Sequence, residues 1–146
     1  MTTVRQVLAQ KDPQIWSIEA SASVFEAIAM MAEKDIGSLL VTNGGKLIGI
    51  ITERHYSRDV ALKGKSSLTI PVTEIMERSA ICVGPDTSVE ECMALMTEKR
   101  VRHLPVVDRG DMVGIVSIGD LVKSVISDQK FIIDQLEHYI HGEASL

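Results

Sequence analysis

The sequence is poor in aromatic residues and in cysteine. Only 3% of its 146 residues are aromatic while 45% are hydrophobic, so a core must be built from aliphatic side chains, methionine and alanine. The spacing of the two cysteines, Cys82 and Cys92, matches no zinc or redox signature. We therefore expect two small apolar side chains that stay reduced.

An excess of basic charge and long apolar runs are also missing. The chain has 15 basic and 20 acidic residues and a formal net charge of −5, which argues against a nucleic-acid-binding protein. No segment approaches the ~18 uninterrupted apolar residues of a membrane span, and no apolar run follows a basic start as in a signal peptide. We expect a cytoplasmic protein that binds neither nucleic acid nor a membrane.

An internal repeat is present instead. A shift of 65 residues aligns 21–60 with 86–125 without a gap, and thirteen of the 40 pairs are identical. At an offset of 68, "VRQVL" (4–8) also resembles "VTEIM" (72–76), which leaves three extra residues around Lys11 in the first copy. The repeat predicts three segments, a first repeat at 1–70, a second at 71–128 and a C-terminal helix with a tail at 129–146.

Each copy reads as β-α-β-β-α. A short strand (16–18 or 81–83) precedes a capping box, Ser23-x-x-Glu26 or Ser88-x-x-Glu91, in which serine and glutamate each bond to the other's backbone. A helix with apolar residues at i, i+4 and i+7 follows, and then a hairpin with a polar turn. One unit leaves a sheet face uncovered, so the pattern predicts an α/β (α+β) fold of two repeats packed with pseudo-twofold symmetry.

With "RHLPVVD" opening the hairpin and "GIVSIGD" closing it, the paired unit resembles a CBS domain pair, or Bateman module. The resemblance extends from about Val4 to His141, and the chain looks like a stand-alone CBS-pair protein of the bacterial signal-transduction kind. It implies a homodimer and an adenosine-containing ligand, with AMP as the first expectation and ADP, ATP, NAD(H) or S-adenosylmethionine as alternatives.

The strand-to-helix turn "SIGD" is the first candidate site. The Ser117 hydroxyl can reach a phosphate, Gly119 lets a ligand approach the backbone, and the Asp120 carboxylate can accept from both ribose hydroxyls. In the family, Ser/Thr-x-x-Asp is the ribose and phosphate signature, and Ile118 belongs to the same turn. Ser-x-x-Asp is also an ordinary helix cap, and both roles can hold together.

The resemblance also implies that the adenine base lies against the first two strands of the opposite repeat. The residues at those positions are Ile15, Trp16, Ser17, Ile36, Gly37 and Ser38. Trp16 is either a lid over the base or a partly buried core residue. Arg102 and His103 stand where the family often places phosphate-binding cations, although a solvated basic turn is the alternative.

The first repeat ends its turn differently, with histidine at the position of Asp120. Because histidine cannot accept both ribose hydroxyls as a carboxylate does, we expect a second cleft that is weak, empty or used for another group. Its candidate residues are Thr52, Arg54, His55, Ile81 and Val101. Arg54 and His55 could face phosphates, so a larger ligand such as a dinucleotide could engage both clefts.

The chain from Gly119 to about His141 predicts one long helix with a wide apolar stripe, either for dimerisation or for packing back on its own domain. His138 and His141 lie one turn apart, but no cysteine or acidic cluster joins them, so we expect no metal. We find no nucleophile with a base and no phosphate loop, and we expect no catalytic cofactor and no enzyme. The remaining functions are a nucleotide sensor that acts on an unknown downstream protein and a ligand-independent dimeric adaptor.

Overall fold

The structure, a computed structural model, describes residues 1–11, 14–78 and 81–140. These residues form two compact units whose boundaries differ from those of the sequence repeats. We call Gln14–Cys82 the continuous unit, and Met1–Pro13 together with Val83–Leu146 the composite unit. The loop predicted around residues 11–13 lies partly outside the described residues, as do His141 and the tail.

The continuous unit contains the first β-α-β-β-α pattern. Its parallel pair β1–β2 and antiparallel pair β2–β3 form one sheet, in which Leu40 lies opposite both Ser17 and Ile50. Buried aliphatic side chains such as Val24, Met31 and Ile51 form its core, as the shortage of aromatic residues predicted. Its elements are β1 (Ser17–Glu19), α2 (Val24–Lys34), β2 (Ser38–Asn43), β3 (Lys46–Thr52), α3 (Glu53–Tyr56), a π-helix (Ser57–Ala61) and a 3-10 turn (Val72–Glu74).

The composite unit contains the second pattern. Its strands β4 and β5 pair antiparallel, and their register shifts between Val106 and Val107, one repeat after the equivalent shift in β2. The strand predicted at 81–83 is reduced to one parallel bridge between Val83 and Val106. The elements are α1 (Val4–Ala9), α4 (Val89–Lys99), β4 (His103–Asp108), β5 (Asp111–Ser117) and α5 (Ile118–Ile140).

The serine caps of α2 and α4 confirm half of the predicted capping boxes. The Ser23 and Ser88 hydroxyls each accept from the backbone N–H three residues on, at 3.1 Å. Among the hydrogen bonds of the described residues, the return bonds predicted from Glu26 and Glu91 are missing. Each serine therefore satisfies one orphan amide of its helix without help from the glutamate.

The similar segments 4–8 and 72–76 exchange places between the repeats. Segment 4–8 precedes the first repeat but packs with the β4–β5 hairpin of the second, and segment 72–76 packs with the β2–β3 hairpin of the first. Leu8 of α1 packs on β5, where a Cβ added at Gly114 would lie 2.8 Å from Leu8 Cδ2. In the continuous unit, a Cβ at Gly49 of β3 would lie 2.7 Å from Met76 Sδ. The repeated glycine in "LIGII" and "MVGIV" therefore makes room for a segment that crosses the strand closely.

Candidate functional site

The predicted "SIGD" turn joins β5 to α5 as a reciprocal cap. The Ser117 N–H donates to Asp120 Oδ2 at 2.8 Å, and the Asp120 N–H donates to Ser117 Oγ at 3.1 Å. The serine and aspartate therefore hold each other in place at the first turn of the helix. The aspartate is a cap, as one of the two predicted roles requires, and its carboxylate keeps acceptor capacity for a ligand because it has about four lone-pair sites.

A lysine that sequence analysis did not assign to the site binds the same carboxylate. Lys11 Nζ lies 2.7 Å from Asp120 Oδ2 and 2.9 Å from the backbone oxygen of Ile115. The side chains of Lys11 and Asp120 are 30% and 23% exposed, so the ion pair is partly shielded from water. No local pattern could reveal this contact, because the two residues are 109 positions apart.

These contacts keep the carboxylate ionised. Burial alone raises the pKa of Asp120, but the hydrogen bond from Lys11, the bonds from Ser117 and the charge of Lys11 outweigh it. The pKa of Asp120 therefore lies below its ordinary value. The group is a permanent anion at neutral pH and can accept strong, charge-assisted hydrogen bonds.

The backbone beside this turn is open. A Cβ added at Gly119 would lie 3.6 Å from Ser117 Oγ. Apart from its chain neighbours and the backbone of its own helix, no other described atom would lie within 4 Å of it. Gly119 is itself exposed. A ligand can therefore approach the first turn of α5, where backbone N–H groups favour a negative group.

The structure brings the predicted cations to the same turn. The Ile118 N–H donates to the Arg102 backbone oxygen at 2.9 Å, and His103 lies opposite Ser117 in the β4–β5 ladder. Arg102 is exposed and His103 is partly buried. Six of the predicted ligand-binding residues are thus neighbours within the composite unit: Arg102, His103, Ser117, Ile118, Gly119 and Asp120.

The first repeat builds the same turn with histidine. The Thr52 N–H donates to His55 Nδ1 at 3.1 Å, and the His55 N–H donates to Thr52 Oγ1 at 3.2 Å. The Glu53 N–H donates to the Gly37 oxygen at 3.1 Å, as the Ile118 N–H donates to the Arg102 oxygen in the second repeat. The histidine therefore replaces the aspartate as a cap, although sequence analysis considered it only as a ligand residue.

The cap fixes the protonation state of this histidine. Because Nδ1 accepts the Thr52 N–H, the neutral ring carries its hydrogen on Nε2. Desolvation by burial lowers the pKa of His55 below its ordinary value; Asp59 and Glu77 oppose this shift, and Arg54 adds to it. At neutral pH the turn is therefore uncharged at the position where the second repeat has an anion.

The residues predicted to contact the base lie in the continuous unit. Trp16 is partly buried against its core, and Lys34 Nζ lies 4.2 Å from the centre of the indole ring. Ser38 pairs with Thr52 across β2 and β3, so Gly37 and Ser38 lie beside the histidine turn. Ser17 is exposed, and Ile36 and Gly37 are partly buried. Their contact with a base stays a prediction.

The remaining candidates are placed as follows. Val101, partly buried in the composite unit, follows α4 and donates its N–H to the Met96 oxygen at 3.1 Å. Ile81 is partly buried, and Arg54 lies on α3. Cys92 is buried and Cys82 exposed, and both are free of disulfides.

Metal-ligand clusters and membrane-spanning helices are both missing from the part of the chain that the structure describes. Within residues 1–11, 14–78 and 81–140, no group of three metal-ligating side chains occurs, and His138 lies on the exposed part of α5. None of the helices in the described chain is long and apolar enough to cross a membrane.

Comparisons with known proteins agree with the repeat. The family model of the CBS domain matches residues 4–61 and 72–127. A mitochondrial CBS domain-containing protein of Arabidopsis thaliana, CBSX3, is 36% identical over 97% of this chain and 73% of its own length. These matches confirm the resemblance seen in the sequence.

Solved structures share the fold. A signal-transduction protein with CBS domains from Burkholderia ambifaria is 51% identical with a TM-score of 0.85, and the match covers 88% of this chain and 96% of that one. The CBS domain pair of protein MJ0100, solved in complex with 5′-methylthioadenosine and S-adenosyl-L-methionine, is 28% identical with a TM-score of 0.76. That match covers 88% of this chain and 98% of the other.

Proposed function

Since the chain belongs to the CBS domain family and carries a regulatory pair of CBS repeats, we propose that it binds an adenosine-containing ligand at the Ser117–Asp120 turn and signals its presence to a partner. The observation that carries the proposal is the ionised Asp120 carboxylate, fixed by Ser117 at an open strand-to-helix turn. CBS domains are generally regulatory, and we propose no catalytic step.

Each part of the turn has a task in this proposal. Asp120 accepts from the ribose hydroxyls, the Ser117 hydroxyl and the Gly119 N–H donate to a phosphate, and the open backbone at Gly119 leaves room for the ligand. Arg102 and His103 adjoin the turn through backbone contacts, so we assign them to the phosphate, with Arg102 supplying the positive charge. AMP is our first candidate, with ADP, ATP and NAD(H) next, and the MJ0100 structure supports the adenosine class.

The proposal also explains the difference between the repeats. The Thr52–His55 turn has the same backbone bonds but presents a neutral imidazole to a ligand. A single acceptor, already used by the Thr52 amide, cannot hold two ribose hydroxyls. We therefore propose one strong adenosine site at Asp120. The two turns should not bind AMP independently with equal affinity.

Thermal unfolding with AMP, ADP, ATP, NAD⁺ and NADH at about 1 mM tests the proposal. A ligand at ~100 times its dissociation constant stabilises the fold by ~2.7 kcal/mol, which shifts the midpoint measurably. Asp120→Asn keeps the size of the side chain and its ability to cap, so it should fold but lose most of the shift. The matched control is Asp134→Asn, which removes one exposed carboxylate from the same helix.

An exposed apolar surface on α5 favours a second role, homodimerisation. Every residue from 126 to 140 is exposed, including Phe131 at 64% and Leu136 at 55%. A bare helix of this length is marginal in water unless a partner covers its apolar face. We propose that a second copy of the chain covers the stripe formed by Ile126, Ile132, Ile133, Leu136, Tyr139 and Ile140.

Sedimentation equilibrium tests the dimer. Leu136→Glu places a charge in the stripe and should shift the mass to that of a monomer. Ser127→Glu adds the same charge to an exposed position on the opposite face of α5 and should leave the dimer intact. A monomeric wild type would contradict the dimer. A stable dimer whose unfolding no adenosine compound affects would favour the ligand-independent adaptor over the sensor.

A further inference from the structure

The composite unit holds a cation at the carboxylate to which the proposed function assigns the ribose. Lys11 follows the C-cap of α1, and its N–H donates to the Leu8 oxygen at 3.1 Å. Helix α1 is anchored by the buried side chains of Val4 and Val7 and by a hydrogen bond from the Val4 N–H to the Thr87 oxygen at 2.9 Å. The lysine therefore extends from a fixed helix end.

The ammonium group has capacity for one more acceptor. Its recorded partners among the described residues are Asp120 Oδ2 and the Ile115 oxygen, and an ammonium has three N–H donors. Its flexible four-carbon stem also lets it move with a bound group. Lys11 is thus able to bind an anion that arrives next to Asp120 without leaving the carboxylate uncompensated.

The charge of the turn then decides which ligands fit. The Lys11–Asp120 pair is neutral in sum, and the first turn of α5 adds the partial positive charge of a helix N-terminus. A phosphate beside this pair gains a cation and backbone donors. An uncharged 5′ substituent gains neither, and a sulfonium cation at the position of the phosphate would face the Lys11 ammonium and the positive end of α5.

We infer that Lys11 is a ligand-binding residue that makes the Asp120 site selective for 5′-phosphorylated adenosine over adenosine itself and over S-adenosylmethionine. This inference rests on the proposed function, because it assumes that the ribose binds at Asp120. It separates this chain from the MJ0100 pair, which was solved with a neutral thioether and a sulfonium compound.

Calorimetric titration with AMP, adenosine and S-adenosylmethionine tests the inference on the wild type, Lys11→Met and Lys11→Arg. The control is Lys123→Met, which removes an exposed lysine from α5 in the same unit. We expect Lys11→Met to lose about ten- to hundredfold in AMP affinity, the range of one charge-assisted hydrogen bond. Adenosine affinity should change little, Lys11→Arg should retain selectivity for AMP, and Lys123→Met should match the wild type.

The ratio of AMP to adenosine affinity is the decisive readout, because a purely structural loss would weaken both ligands together. Far-UV circular dichroism and the midpoint without ligand establish that Lys11→Met is folded. An unchanged ratio, or tighter AMP binding after the lysine is removed, would overturn the inference and show that Lys11 is structural or blocks the site. Failure of these three ligands and of ADP, ATP and NAD(H) to bind the wild type would instead refute the proposed function, and the inference with it.

Discussion

The repeated glycine offers a test of the packing that builds the site, because the two copies face different neighbours. At Gly49 an added Cβ would lie 2.7 Å from Met76 Sδ and 2.9 Å from the backbone oxygen of Glu77. That oxygen accepts from the Ile50 N–H at 3.1 Å, and the Glu77 N–H donates back to the Ile50 oxygen at 2.8 Å. The methyl group of alanine would therefore push against backbone that is held on both sides.

The expected cost follows from two terms. Overpacking costs about 1–3 kcal/mol, and weakening one of the two hydrogen bonds costs about 0.5–1.5 kcal/mol. At Gly114 the closest atoms are Leu8 Cδ2 at 2.8 Å and Cδ1 at 3.2 Å, the far end of a flexible side chain. We expect Gly49→Ala to lose about 2–4 kcal/mol and Gly114→Ala less than about 1.5 kcal/mol.

Urea unfolding followed by circular dichroism measures both losses. Adding Leu8→Ala to Gly114→Ala should make the combined loss smaller than the sum of the two single losses, because the shortened side chain clears the added methyl group. The same Leu8→Ala change should add its full cost to Gly49→Ala, whose neighbours lie in the continuous unit. Equal losses at the two glycines, or coupling of Leu8 to Gly49 instead, would refute this description of how 4–8 and 72–76 pack.

Three further predictions concern single residues. The folded protein lowers the pKa of His55, so the unfolded chain binds more protons as the pH drops below about 6.5. The stability of the fold should therefore fall over this range, and it should fall less in His55→Asn. The unfolding midpoint measured against pH tests this. Asp35 ends α2 in the left-handed region at φ 54°, so Asp35→Gly should raise the free energy of unfolding by about 1 kcal/mol. A free energy of unfolding below that of the wild type would contradict strain at this residue. Gly119→Ala should leave the midpoint without ligand unchanged or slightly raised, yet reduce AMP affinity several-fold; full binding would show that no ligand approaches this backbone.

Local patterns predicted most of the fold. The β4–β5 and β2–β3 hairpins, the serine caps and the long helix α5 all follow from periodicity and turn residues over a few positions. The first strands were predicted less well, since 16–18 is shifted by one residue and 81–83 is a single bridge. A short strand depends on its partner more than on its own sequence, which explains the weaker result.

In the candidate site too, contacts between residues close in sequence could be predicted and those made by long-range packing could not. The Ser117–Asp120 turn was visible because its bonds join residues three positions apart. Lys11 was not, since only the packing of α1 on β5 brings it to Asp120. The capping role of His55 was also missed, because histidine is uncommon at this position and its Nδ1 accepts only when the ring is neutral.

The most direct test of the central claim is calorimetric titration of AMP into the wild type and Asp120→Asn. We expect the wild type to bind at one strong site per chain and Asp120→Asn to bind about ten- to hundredfold more weakly, as the loss of a charge-assisted hydrogen bond requires. Equal affinity of the two proteins for AMP would contradict the claim and leave Asp120 as the cap of α5 alone.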